Sequence, residues 1–158
     1  MNKLSPYDKV LSVAENIGIS VIQENAPTKI PAIALRLGKD MGVFINESAF
    51  HTDAERRLAF AHEVGHCETG GFYTELTPAD ERNRIEYRAT KWTVMQLVSF
   101  ETYKMTILEG CLTYWEQAEK WDIPLEFVSK VHEIYEKTHW NEIQALRDEV
   151  ARKYPFVY

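Results

Sequence analysis

The nine residues Leu58-Ala59-Phe60-Ala61-His62-Glu63-Val64-Gly65-His66 constrain this chain more than any other stretch. His62 and His66 stand four apart. On a helix that spacing puts both imidazoles on one face, where they can reach a single ion. Glu63 points about 100° away around the helix axis. A carboxylate there lies beside such an ion rather than on it, placed to take a proton from water that the metal activates. Neutral imidazole nitrogens suit zinc, and two of them leave room for a third protein ligand and a water. The flanking residues fit a helix built for close packing. Thr52-Asp53-Ala54-Glu55 reads as a capping box that starts it. Leu58, Ala61, Val64 and Gly65 give an apolar, partly small-residue face. The plainer alternative is a helix whose histidines fall four apart with no ion. Two imidazoles within such a face are costly without a partner, which argues against it.

The rest of the chain reads as helices around a few short strands. Residues 5–17 predict a first helix, with Ser5 as cap, Pro6 in the first turn, and Val10, Val13, Ala14 and Ile17 as the apolar stripe. Gly18 ends it. Ile19 to Gln23 predicts a strand. Ala32 to Leu37 and Gly42 to Asn46 predict two more, joined as a hairpin through residues 38–41. A small antiparallel sheet is therefore expected ahead of the metal helix. Its edge strand either holds an extended substrate by main-chain pairing or only covers the helices. Gly70-Gly71 ends the metal helix. Thr77-Pro78 starts a second long helix, with Thr77 as cap, running to about Ser99.

A third ligand has five candidates, Glu68, Glu75, Asp80, Glu81 and Glu86. Glu68 falls on the wrong side of the metal helix and Glu75 in a loop. Asp80 and Glu81 occupy a first helical turn, where the helix dipole favours acids anyway. Glu86 lies well inside the second helix. Ala89, Thr90 and Thr93 follow it on one face, small enough to let two helices approach. A carboxylate from a second helix commonly completes such a site. A surface glutamate pairing with Arg82 or Thr90 fits the spacing as well, so geometry leaves Glu86 open.

The motif His62-Glu63-Val64-Gly65-His66, followed by Arg82-Asn83-Arg84-Ile85-Glu86-Tyr87-Arg88-Ala89-Thr90-Lys91-Trp92, resembles the ImmA/IrrE family of metallo-endopeptidases. It is most similar to members carried by phages and mobile elements of Gram-positive bacteria. The resemblance spans about residues 5–135 and is most specific over 54–98. The last helix, from about residue 139, falls outside it. The resemblance implies His62, His66 and Glu86 as ligands of a zinc ion and Glu63 as the catalytic residue. It also implies a protein partner, a helix-turn-helix transcriptional repressor encoded nearby.

Residues 100–158 predict a helical tail. Tyr114 to Trp121 is one helix, broken by Asp122-Ile123-Pro124. A second carries Leu125, Val128, Val131, Ile134 and Tyr135, and a third Trp140, Ile143, Leu146 and Val150. Two helices around a tight break can be read as helix-turn-helix. Acidic Glu116, Glu119, Asp122 and Glu126, and a net charge of −6 for the 158 residues, favour a helical cover over a nucleic-acid binder. His132 and His139 are either further site groups or ordinary surface residues. Glu109-Gly110-Cys111-Leu112 resembles part of a peptide deformylase motif, but in those enzymes that motif precedes the histidine pair. Cys111 therefore reads as a helix-end or core residue.

The expectation is an α+β chain: a mainly helical, zincin-like (gluzincin-like) core over residues 1–99 and a helical tail over 100–158. The apolar content of 45% suffices for a core. Two cysteines with no paired spacing suit a reducing compartment. No apolar leader follows Met1 and no membrane-length apolar run occurs, so a cytoplasmic protein with no membrane partner is expected. The expected activity is zinc-dependent hydrolysis of a peptide bond in the repressor, with Tyr73, Tyr87 or His132 stabilising the oxyanion. The alternative is a non-proteolytic module that binds and antagonises the repressor and uses its metal structurally.

Overall fold

The computed structural model describes residues 5–155, which form seven α-helices and one three-stranded sheet. The chain divides into two compact units, residues 1–96 and 97–158. No helix among the described residues is long and apolar enough to cross a membrane.

In the first unit, helix α1 (Pro6–Asn16) opens with a reciprocal capping box. The Asp8 N–H donates to Ser5 Oγ at 3.1 Å, and the Ser5 N–H donates back to Asp8 Oδ2 at 3.1 Å. Strands β1 (Ser20–Glu24), β2 (Ala32–Leu37) and β3 (Asp40–Asn46) follow. The β2–β3 hairpin forms as expected, with Leu37 opposite Asp40 and only Gly38-Lys39 between them. The sheet is not wholly antiparallel, however. Its order is β1-β3-β2, and β1 runs parallel to β3.

Asn46 gives the physical reason. A strand parallel to β3 and beside it forces the β1–β2 connection across the end of β3, and Asn46 sits at that end. Its amide Oδ1 accepts from the Ala26 N–H at 3.1 Å, while Nδ2 donates to the carbonyls of Ala26 and Thr28 at 3.1 and 3.2 Å. Asn46 is 2% exposed, so these bonds satisfy groups that water does not reach.

Helix α2 (Asp53–Thr69) packs on β2 and β3. Its capping box is the expected one, Thr52 with Glu55. Phe60, Ala61 and Val64 are buried with Val43 and Ile45 of the sheet. Full burial of each large apolar side chain contributes about 1.5–3 kcal/mol. The helix ends at Gly70, whose φ of 65° is left-handed and strained for other residues. Helix α3 (Ala79–Leu97) starts two residues after the expected cap. The Thr77 hydroxyl instead accepts from the Thr74 N–H at 3.1 Å and closes the preceding turn.

In the second unit, Ser99 caps helix α4 (Phe100–Leu108), and Thr113 with Glu116 boxes helix α5 (Tyr114–Trp121). Asp122, at φ 53°, turns the chain towards helix α6 (Leu125–Thr138), and helix α7 (Trp140–Lys153) follows. Val128, Val131, Ile134, Ile143, Leu146 and Val150 form the apolar core. A polar chain runs through it. Gln117 Nε2 donates to the Cys111 carbonyl at 3.0 Å, which leaves Gln117 Oε1 to accept from His132 Nε2 at 2.7 Å. His132 Nδ1 therefore accepts from the Tyr103 hydroxyl at 2.9 Å. Burial holds the His132 pKa below its ordinary value, consistent with that neutral tautomer. His139 stacks on Phe100, with ring centroids 4.0 Å apart. Both tail histidines thus have structural partners within this unit. The α5–α6 pair has helix-turn-helix connectivity, but Glu133 pairs with both Lys130 and Lys137 on α6. That face lacks the basic excess that phosphate contacts require.

Candidate metal centre

Helices α2 and α3 meet where small residues face each other. A Cβ added to Gly65 would lie 2.9 Å from the Ala89 carbonyl oxygen, 3.2 Å from the Trp92 ring and 3.3 Å from Thr93 Oγ1. Thr93 hides its hydroxyl by donating to the Ala89 carbonyl at 2.8 Å. This close approach brings Glu86, one turn before Ala89, to the histidines of α2. Gly65→Ala is therefore expected to push the helices apart, lower stability by about 1–3 kcal/mol and weaken metal binding. Thermal melting with and without zinc checks both effects.

His62 Nε2 lies 3.1 Å from His66 Nε2 and 2.9 Å from Glu86 Oε2. Glu86 Oε1 lies 3.2 Å from His66 Nε2. Among the described residues, these three form the one group of His, Cys, Asp or Glu side chains gathered closely enough to hold a metal ion, with ligand atoms within 4.8 Å of one another. The other sequence candidates for a third ligand, Glu68, Glu75, Asp80 and Glu81, are not part of it.

The donor chemistry fits a cation. His66 is 6% exposed, and its Nδ1 lies 2.7 Å from the Gly71 carbonyl oxygen. A carbonyl can only accept, so Nδ1 carries the proton and the Nε2 lone pair faces His62 and Glu86. The hydrogen bond from His62, against the opposing effect of burial, holds the Glu86 carboxyl down to about 2. A charged carboxylate and an imidazole lone pair thus converge on one point. Zinc accepts that set of nitrogen and oxygen donors with a position to spare. Burial pushes the neighbouring Cys67 thiol up to about 11, so it offers no thiolate.

Glu63 stands beside the three donors, not among them. Burial raises its pKa, while His62 and His66 lower it by smaller amounts. The main-chain N–H of Ala34 also lowers it. That donor belongs to the open edge of the sheet. The Asn46 N–H bonds the Pro31 carbonyl at 2.8 Å, and the two-residue turn pairs Leu37 with Asp40. Antiparallel pairing alternates, so Ile33 and Leu35 bond to β3 while Ala32, Ala34 and Arg36 turn their main-chain groups outwards. A cleft of about 370 Å³ runs between this edge and the helices, lined by Ala32–Leu35, His62, Glu63, His66, Gly71, Phe72, Tyr73 and Glu86.

Of the three hydroxyl or imidazole groups considered for the oxyanion, only Tyr73 lines the cleft. The neighbouring Glu86 carboxylate pushes its hydroxyl up to about 12. Tyr87 is not among the lining residues, and His132 uses both ring nitrogens within the second unit. Sequence reasoning did not single out Ala34 or Gly71 as site groups. Both act through the main chain, where side-chain identity carries no signal. No family model, curated protein or solved structure matches this chain.

Proposed function

We propose that the chain is a zinc-dependent endopeptidase with a gluzincin-like core, acting in the cytoplasm on a helix-turn-helix repressor of a phage or mobile element. The observation that carries the reading is the convergence of His62, His66 and Glu86 beside a separate buried carboxylate, Glu63, along an open strand edge. The choice of repressor rests on the resemblance to the ImmA/IrrE family. When bound by His62, His66 and Glu86, zinc supplies a Lewis acid that polarises a carbonyl and lowers the pKa of water to about 7.

The chain's own residues do the rest. Glu63 takes the proton of the attacking water at its carboxylate and delivers it to the leaving amine nitrogen. Its burial suits that exchange, because a raised pKa lets the carboxyl hold the proton until the amine departs. The outward main-chain groups of Ala32, Ala34 and Arg36 bind an extended segment by strand addition. A bound segment must be unpaired and extended, so cleavage falls in a loop or frayed helix of the repressor. Glu63 also separates this reading from a structural metal site, which closes with four protein ligands and needs no such base.

The test is incubation of the purified protein with the repressor encoded beside it, with and without chelator, read by mass spectrometry. One or two discrete fragments that vanish with chelator are expected, with little cleavage of casein. Many scattered cuts would indicate a general protease. Stable co-purification with no cleavage and no chelator effect would favour a binding module.

A further inference from the structure

The second unit holds a cleft of its own, which the chemistry of the metal centre does not use. Residues of α4, α5, α6 and α7, with Leu112 before α5, line a cavity of about 400 Å³, a size that takes a small molecule. Its floor is apolar, made by Ile107, Leu112, Ile143, Leu146 and Val150. Tyr103, Tyr114 and His132 form an aromatic wall, with the Tyr114 and His132 rings stacked at 5.2 Å and 14°. Glu136 of α6 and Arg147 of α7 also line it and pair with each other, their side chains 40% and 50% exposed.

The polar chain of this unit reaches the cavity with bonding capacity left over. Gln117 is 1% exposed, and the Cys111 carbonyl takes only one of its two amide protons. Tyr103 is 4% exposed and gives its hydroxyl proton to His132, so its oxygen can only accept from a further group. Polar atoms at this depth are ordinarily satisfied. The cavity thus offers a ligand one buried donor and one buried acceptor.

The charges at its rim select in the same way. An anion would take Arg147 from Glu136, and a cation would take Glu136 from Arg147. Either leaves one charge without its partner beside an apolar floor. A molecule that carries both charges on neighbouring groups leaves neither unpaired. Glu133, on the same rim, is already held by Lys130 and Lys137. We propose that this cavity binds a free α-amino acid with an apolar side chain: its carboxylate on Arg147, its ammonium on Glu136, and its side chain on Ile143, Leu146 and Val150. The second Gln117 proton and the Tyr103 oxygen serve the carboxylate and the ammonium from within. The site is independent of the metal centre.

Calorimetric titration of the full chain with L-leucine and L-phenylalanine is the test. Both are expected to bind at millimolar concentrations or below and to raise the melting temperature. N-acetyl-L-leucine keeps only the carboxylate, and L-leucinamide only the ammonium. Each should bind about 10- to 100-fold more weakly, the effect of losing one charge-assisted contact. Arg147→Gln and Glu136→Gln should weaken L-leucine binding by the same factor. Their ligand-free melting temperatures should stay near wild type, because a half-exposed ion pair contributes little to stability. The leucine derivatives act on the wild-type chain, so they decide the matter even if a variant unfolds. No binding of either amino acid, equal binding of the three leucine forms, or wild-type binding by both variants would overturn the proposal. Binding that disappears in His62→Ala would place the amino acid at the metal centre and overturn it too.

Discussion

Glu63→Gln is expected to lower repressor cleavage by about 10²- to 10⁴-fold, with zinc content and melting temperature at wild-type levels. The amide has the shape of the carboxyl and keeps its place beside the donors. It cannot take a proton from water at neutral pH. The loss should therefore appear in kcat, with KM nearly unchanged, because only an interaction of the transition state is removed. Initial rates of fragment formation, measured over a range of repressor concentrations, separate the two parameters. Undiminished cleavage would contradict the role proposed for Glu63.

Removing a donor acts earlier, on the metal itself. His62→Ala, His66→Ala and Glu86→Ala are each expected to weaken zinc binding by more than about 100-fold, beyond the range of an outer partner. His66→Ala should also lower stability. It leaves a void at a buried position and strips the Gly71 carbonyl of its donor. Glu68→Ala and Glu75→Ala should leave zinc binding unchanged, since neither side chain belongs to the cluster. Elemental analysis of dialysed proteins gives the comparison.

What could be read from the sequence was what is decided locally. The capping boxes at Ser5 and Thr52 involve residues three apart, and both helices start where those residues say. The spacing of His62 and His66 needs only the helix to put them on one face. Glu86 was harder. Which of five acids reaches the histidines depends on where α3 crosses α2, and that is set by Gly65 against Ala89 and Thr93, far apart in the chain. The residues at the crossing were visible as small; their register was not.

The sheet failed in the same way. Each strand could be seen in its β-branched run, but the parallel partner of β3 was fixed by Asn46 bonding to Ala26 and Thr28. Nothing in a hydropathy pattern marks such a bond. The boundary near Ser99 is a smaller case. No glycine or proline separates α3 from α4, and the stop comes from the Ser99 side chain accepting the Thr102 N–H at 3.1 Å. Tyr73, in a loop without periodicity, could only be one of three candidates until the turn after α2 placed it in the cleft.

The central claim is an open zinc site of two imidazoles and one carboxylate. X-ray absorption of the zinc-loaded protein tests it most directly. The account predicts one zinc per chain, with two imidazole nitrogens at about 2.0–2.1 Å, oxygen scatterers at about 2.0–2.2 Å and no sulfur. One imidazole should disappear in His62→Ala. A sulfur shell at about 2.3 Å, or four protein ligands with no exchangeable position, would contradict it.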